Sequence, residues 1–149
     1  MTAWARMVAA LGVTVAVDQV TKAIVLANVA RGEDVNVFLG LDVTNVRNTG
    51  VAFGAFSGSG LLIAAASAVA LTGLLVYFAL HARARLLWLP VGLVLGGAFA
   101  NLADRARVGA VIDFIDPIAW PAFNVADIAI VAGVLGLLYI AEGPRDGDA

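Results

Sequence analysis

The chain has 149 residues, of which 62% are hydrophobic and only 13% charged, with a mean hydropathy of +0.96. A soluble globular chain is about 45–50% apolar and about 25% charged, so a soluble domain is excluded in favour of one solvated largely by lipid. With no cysteine, a single histidine (His81) and a formal net charge of −2, the chain cannot form disulfides, thiolate nucleophiles, cysteine-based or multi-histidine metal sites, or a basic field for nucleic acid. Any chemistry must run on carboxylates, amides, hydroxyls, arginines and one lysine, and no metal or other cofactor is expected.

A membrane-spanning helix takes roughly 20 apolar residues, so four spans fit and six would leave almost nothing to connect them. The first apolar stretch covers about residues 7–30. Its first half could be a cleaved signal peptide, but Asp18 and Lys22 break the apolar core, and Asn28 stands where a small residue would precede a cleavage site. A first span is the better reading. From Val35 to Asn45 apolar and polar residues alternate on either side of Gly40, the pattern of a short antiparallel pair. Asn48-Thr49-Gly50 then supplies turn chemistry. A small open-edged sheet cannot cross lipid, so residues 31–60 belong at one membrane face. Residues 61–80 carry no charge and form the second span. The connection at 81–85 holds two arginines, and residues 86–103 form a third span in which Gly92 and Gly96 permit close helix packing. A polar segment, about 104–123, precedes the fourth span at about 124–141. The chain reads as one domain, 1–149. Under the positive-inside rule the arginine-bearing connection favours the cytoplasm, which puts both termini there and the 31–60 and 104–123 segments outside.

Ionisable residues at membrane depth are expensive, and each is a functional suspect. Asp18 and Lys22, four apart, suit a mutually neutralising pair that holds the bundle together, or a supporting role at a site. Asp113 and Asp127 fall on the connection between spans three and four and on the first turn of the fourth, so they can meet at the outer boundary. Two carboxylates sharing a site split their titrations, and one can act as base while the other donates a proton. The alternatives are a helix cap, with Asn124 as N-cap and Asp127 three residues later, and a solvated loop acid at Asp113. Asn101, Asp104 and Arg105 cluster at the end of the third span. They form either an Asp104–Arg105 charge cluster or a scaffold in which Asn101 and Arg105 position substrate.

Five ordered motifs resemble the lipoprotein signal peptidase (signal peptidase II) family. They are Asp18-Gln-Val-Thr-Lys22, Asn48-Thr-Gly-Val-Ala-Phe53, Gly96-Gly97 through Asn101-Leu-Ala-Asp104-Arg105, Val111-Ile-Asp113-Phe114, and Trp120-Pro-Ala-Phe123-Asn124-Val-Ala-Asp127. The resemblance runs from about residue 14 to 130. It implies a mainly α membrane protein, a four-transmembrane-helix bundle with a small extracytoplasmic β-cradle between helices 1 and 2. It also implies an aspartic endopeptidase with Asp113 and Asp127 as the catalytic pair and Asn48, Asn101, Arg105 and Asn124 lining the site. Gly50, Phe53, Asp104, Asp18 and Lys22 are expected to bind substrate or support the site, with Phe53 closing over the lipidated cysteine. The implied substrates are diacylated prolipoproteins, cut just before the diacylglyceryl-modified cysteine; membrane lipid and globomycin-type inhibitors are the other implied partners. A monomer in the bacterial cytoplasmic (inner) membrane is expected, with its active site at the extracytoplasmic face. Val51, Gly54, Ala100 and Ala103 depart from the family's pattern at positions that touch packing rather than carboxylates. A proton-coupled transporter and a non-catalytic assembly factor remain as other classes; neither inverted repeats nor broken midplane helices support the transporter.

Overall fold

In the computed structural model, residues 1–50 and 60–143 are described, with side chains of the second helix from residue 65 onward. The elements run α1 (Ala3–Asn28), β1 (Asp34–Phe38), β2 (Leu41–Asn48), α2 (Gly60–His81), α3 (Trp88–Val108), β3 (Val111–Pro117) and α4 (Val125–Glu142). Two described helices, Ala3–Asn28 and Val125–Glu142, are long and apolar enough to cross a membrane, and the described stretch of α2, Ala65–His81, is apolar as well. Their outward faces carry large apolar side chains such as Val13, Val20, Ile24, Val69, Leu80, Val131 and Tyr139. Such an outer surface would be poorly solvated by water and suits lipid.

Helix α3 is the central column, packed against α1, α4 and α2. Its glycines make that possible. A Cβ on Gly92 would lie 2.8 Å from the Met7 carbonyl and one on Gly96 2.9 Å from the Leu11 carbonyl, both on α1. The Gly92–Gly96 spacing thus does what it suggests and brings two backbones together. On the opposite side Gly97 abuts the Ala126 carbonyl of α4, and α4 returns the fit with Gly133, whose added Cβ would lie 2.7 Å from the Pro90 carbonyl. At the far end of the bundle Met7, Phe78, Leu87, Val91 and Leu95 form an apolar core, with Trp4 set edge-on to Phe78 at 4.9 Å between ring centroids.

The expected hairpin is present, with the chain reversing at Gly40 in the left-handed region (φ 81°). The sheet is larger than expected and is not confined to the stretch between the first two helices. β3, from the connection between α3 and α4, pairs antiparallel with β2, giving the order β1-β2-β3. The physical reason lies in β2, whose outer edge would otherwise present unpaired N–H and C=O groups. The first four residues of β3 are all buried, so they lack the alternation that marks a half-exposed strand. α3 also continues as helix to Val108 before its left-handed cap at Gly109 (φ 73°). Asp104, Arg105 and Arg107 are therefore helical residues rather than part of an irregular polar segment.

Candidate active site

The two aspartates reach one place from different elements. Asp113 lies in β3 and is 2% exposed, which overturns a solvated loop acid. Its strand position puts it across from Val46 while Asn48 faces Val111, so Asn48 and Asp113 are diagonal neighbours on one face of the sheet. The Asn48 Nδ2 accordingly donates to Asp113 Oδ2 at 2.8 Å. The Asn48 Oδ1 accepts from the Gly50 N–H at 3.0 Å, which turns the chain at the strand's end.

Asp127 occupies the first turn of α4, where a full capping box is formed. Asn124 Oδ1 accepts from the Asp127 N–H at 3.0 Å, and Asp127 Oδ2 accepts from the Asn124 N–H at 3.2 Å. Capping and the approach to Asp113 are therefore not alternatives, because the same Asn124 does both. Its buried side-chain Nδ2 donates to Asp113 Oδ1 at 2.7 Å. It also lies 3.2 Å from Asn101 Oδ1 and 3.3 Å from the Ile112 carbonyl. Asn101, reaching in from α3, donates from Nδ2 to Asp127 Oδ1 at 2.9 Å. Each carboxylate thus accepts two hydrogen bonds, and one asparagine bridges the pair.

The carboxyl of Asp113 titrates abnormally. Burial pushes it up from 3.8 to about 6; the Asn48 hydrogen bond opposes the rise, the nearby Asp127 charge adds to it, and the Asn124 hydrogen bond opposes it. A carboxyl that takes up its proton near pH 6 rather than 4, beside a second carboxylate, is suited to general acid–base work.

Beneath the pair lies a second polar layer. Lys22 is 1% exposed and Asp18 and Asp104 are fully buried. The Lys22 ammonium meets Asp18 Oδ2 and Asp104 Oδ2, each at 2.7 Å. Asp104 does not pair with Arg105; its second oxygen meets Arg107 Nη2 at 3.2 Å. The reason is helical phase, since Arg107 follows Asp104 by three residues and shares its face while Arg105 does not. Arg105 instead sits at the rim, 3.5 Å from the Gly50 carbonyl. Asp18 also accepts from the Ala126 N–H of α4 at 2.9 Å, and Asp104 from the Ile112 N–H of β3 at 3.2 Å. This layer therefore ties α1, α3, α4 and β3 together directly under the aspartates.

Asn48, Gly50, Asn101, Arg105, Asp113 and Asp127 all line one cavity of about 430 Å³. Asn124 lies behind its wall, and Phe53 falls outside the described residues. Four residues went unassigned from sequence. Gln19, inside the first motif, bridges Asp18 and Asp104 through its Nε2 at 3.2 and 3.0 Å and accepts from Arg107. Trp120 and Phe123, inside the fifth motif, and Ser67 of α2 also line the cavity. The signal for Ser67 was its polarity within a charge-free stretch. A shallower apolar groove of about 370 Å³ continues from Trp120, Phe123 and Asp127 along Ile128, Val131 and Leu135 of α4.

The sequence profile of the family described as signal peptidase (SPase) II matches residues 10–141. The lipoprotein signal peptidase of Pelotomaculum thermopropionicum is 40% identical over 138 residues, which cover 91% of each chain. That of Halothermothrix orenii is 33% identical over 138 residues, covering 91% of this chain and 95% of the relative. Among solved structures, a bacterial membrane enzyme determined by the in meso method at 2.3 Å resolution superposes with a TM-score of 0.82. It is 28% identical, with 96% of this chain and 93% of that one covered.

Proposed function

The chain belongs to the signal peptidase II family, and from that premise we propose that it removes the signal peptide of bacterial prolipoproteins, with Asp113 and Asp127 as its catalytic pair. The observation that carries the assignment is the bridge at Asn124, whose side chain donates to Asp113 while its backbone N–H donates to Asp127. Both carboxyls open onto the same cavity.

In this mechanism the resting proton sits on Asp113, in keeping with its raised titration, and a water lies between the carboxyls. The Asp127 carboxylate takes a proton from that water as its oxygen attacks the scissile carbonyl carbon, and Asp113 gives its proton to the carbonyl oxygen. Collapse of the resulting diol breaks the C–N bond. The proton on Asp127 passes to the departing amine, and a diol hydroxyl returns one to Asp113, so the pair ends as it began. Asn48, Asn101 and Asn124 hold the carboxyls in place, and Gly50 and Arg105 border the cavity where the substrate backbone would enter.

The cut falls just before the diacylglyceryl-modified cysteine. The apolar groove along α4 suits an acyl chain leaving the cavity into lipid, because it begins at Asp127 and is walled almost entirely by apolar side chains. The four helices span the bacterial cytoplasmic membrane as a single domain, with both termini cytoplasmic and the sheet and aspartates at the extracytoplasmic face. Exposed Ile118 and Trp120 in the β3–α4 connection suit the interfacial zone, where tryptophan is enriched. The protein acts as a monomer, and cyclic-peptide inhibitors of the globomycin type occupy the same cavity.

The test is a gel-shift cleavage assay in liposomes with a diacylglyceryl-modified prolipoprotein, and the unlipidated precursor as control. Wild type should cut before the modified cysteine and spare the precursor, while Asp113→Asn and Asp127→Asn, still folded, should not cut. Near wild-type cleavage by both variants would remove the aspartates from the chemistry.

A further inference from the structure

The lysine buried beneath the aspartates makes a contact that ion pairing does not require. An ammonium has three N–H donors and no acceptor. Two of the Lys22 donors go to Asp18 and Asp104, and the third points to Asn101 Oδ1 at 3.3 Å. That oxygen also accepts from Asn124 Nδ2 at 3.2 Å. A carboxamide has one oxygen end and one nitrogen end, so the orientation of Asn101 is decided by what faces each end. If the amide turned over, its NH₂ would face an ammonium and a second NH₂, and its oxygen would face the Asp127 carboxylate. Both arrangements are repulsive. Lys22 can only donate, and together with the Asn124 Nδ2 it confines Asn101 to the orientation in which its Nδ2 donates to Asp127 Oδ1.

We propose that Lys22 is a positioning residue for the reaction, locking the Asn101 amide so that Asn101 donates to Asp127 and holds that carboxylate toward Asp113. The ion pairs with Asp18 and Asp104 keep the ammonium in place, and Asn101 carries its effect to the catalytic pair. The role rests on the catalytic reading of Asp127 given above. It distinguishes Lys22 from Asp18, which reaches α4 through the Ala126 N–H and ties the helix down without touching Asn101.

A double-mutant cycle on cleavage of the diacylated substrate tests the lock, using wild type, Lys22→Met, Asn101→Ala and the double variant, with Asp127→Asn in parallel. Misplacing a reacting group by about 1 Å lowers rate by about 10²-fold. Lys22→Met and Asn101→Ala should each lower kcat by about 10- to 100-fold and leave KM within about twofold. Since the first acts through the second, the double variant should lose no more than the worse single variant. A double variant that loses the product of the two effects, or a Lys22→Met enzyme with wild-type kcat, overturns the lock. If Lys22→Met does not fold, the cycle is run on the Asp104→Asn background, where removing the ammonium strands one carboxylate rather than two. The two readings fail differently. A dead Asp127→Asn enzyme with multiplicative cycle effects sinks the lock alone, whereas an active Asp127→Asn enzyme sinks the catalytic assignment and the lock with it.

Discussion

The two ends of the bundle are held together by different physics. At one end Met7, Phe78, Leu87, Val91 and Leu95 pack with no polar atom among their side chains. At the other, Asp18, Lys22, Asn101, Asp104, Asp113 and Asn124 are also buried, and each is held by hydrogen bonds or ion pairs. In lipid the apolar end gains little from leaving its surroundings, because lipid tails are as apolar as leucine; it is held by close packing. The polar end has no comparable freedom, since a buried polar group without a partner is expensive. The apolar end is therefore tolerant of exchange between similar shapes. The polar end specifies one arrangement, and the aspartates stand on it.

The widest separation between the two ends should appear at the aspartates. Asp113→Asn and Asp127→Asn should lower cleavage by about 10²- to 10⁴-fold, the usual reach of acid–base catalysis, with the protein still folded by circular dichroism. Loss of fold on a par with loss of activity would mean that the polar end is only a structural plug.

The next effect is a dependence on pH that only the polar end can produce. Asp113 holds its proton more tightly folded than unfolded, with its carboxyl raised from 3.8 to about 6. The folded state therefore binds more protons between those values, and stability falls as pH rises through that window. This contribution is complete below about pH 4 and gone above about pH 6, on the order of 2–3 kcal/mol. Thermal unfolding in detergent across pH 4–7 should show the decline in wild type and a shallower one in Asp113→Asn. The alkaline limb of kcat/KM, which reads the free enzyme, should fall near 6 and belongs to the pair as a whole. A limb in the ordinary carboxylate range would contradict the burial of Asp113.

At the apolar end Phe78→Ala leaves a cavity and no unpaired group. In water such a change costs about 3–5 kcal/mol. With lipid as solvent only the packing share remains, about 2 kcal/mol. The melting temperature should drop while kcat per folded molecule holds. A fall in kcat with unchanged stability would show that the two ends are coupled.

Sequence revealed the two ends unequally. Helix positions were legible because charge-free runs and the Gly92–Gly96 spacing are long, local signals, and the hairpin was legible from alternation about Gly40. β3 was not, because Val111–Phe114 is buried on both faces and flanked by Asp104, Arg105, Arg107 and Asp116, so a strand hid inside what reads as a charged connection. Asp113 and Asp127 were identifiable as a pair from topology and motif. Their partners were less so: the Asp104 contacts with Lys22 and Gln19 join α3 to α1 across some eighty residues, and no local period encodes them. Asn124 read as a cap or a site residue. The fold makes it both at once.

Asn48 can be changed so that a single donor is lost while both carboxylates stay in place. Asn48 Nδ2 donates to Asp113 at 2.8 Å, and that bond is the largest influence holding the Asp113 carboxyl down against burial. Asn48→Ala removes it, so the ionised form of Asp113 loses a partner and the neutral form is favoured. A hydrogen bond to a charged group contributes about 1.5–3 kcal/mol, part of which water entering the cavity would restore. The alkaline limb of kcat/KM should therefore move upward by about one pH unit, with kcat reduced about tenfold or less. The direction is the test. If the limb moved toward acid, the strand-borne amide would be raising rather than lowering the proton affinity of Asp113.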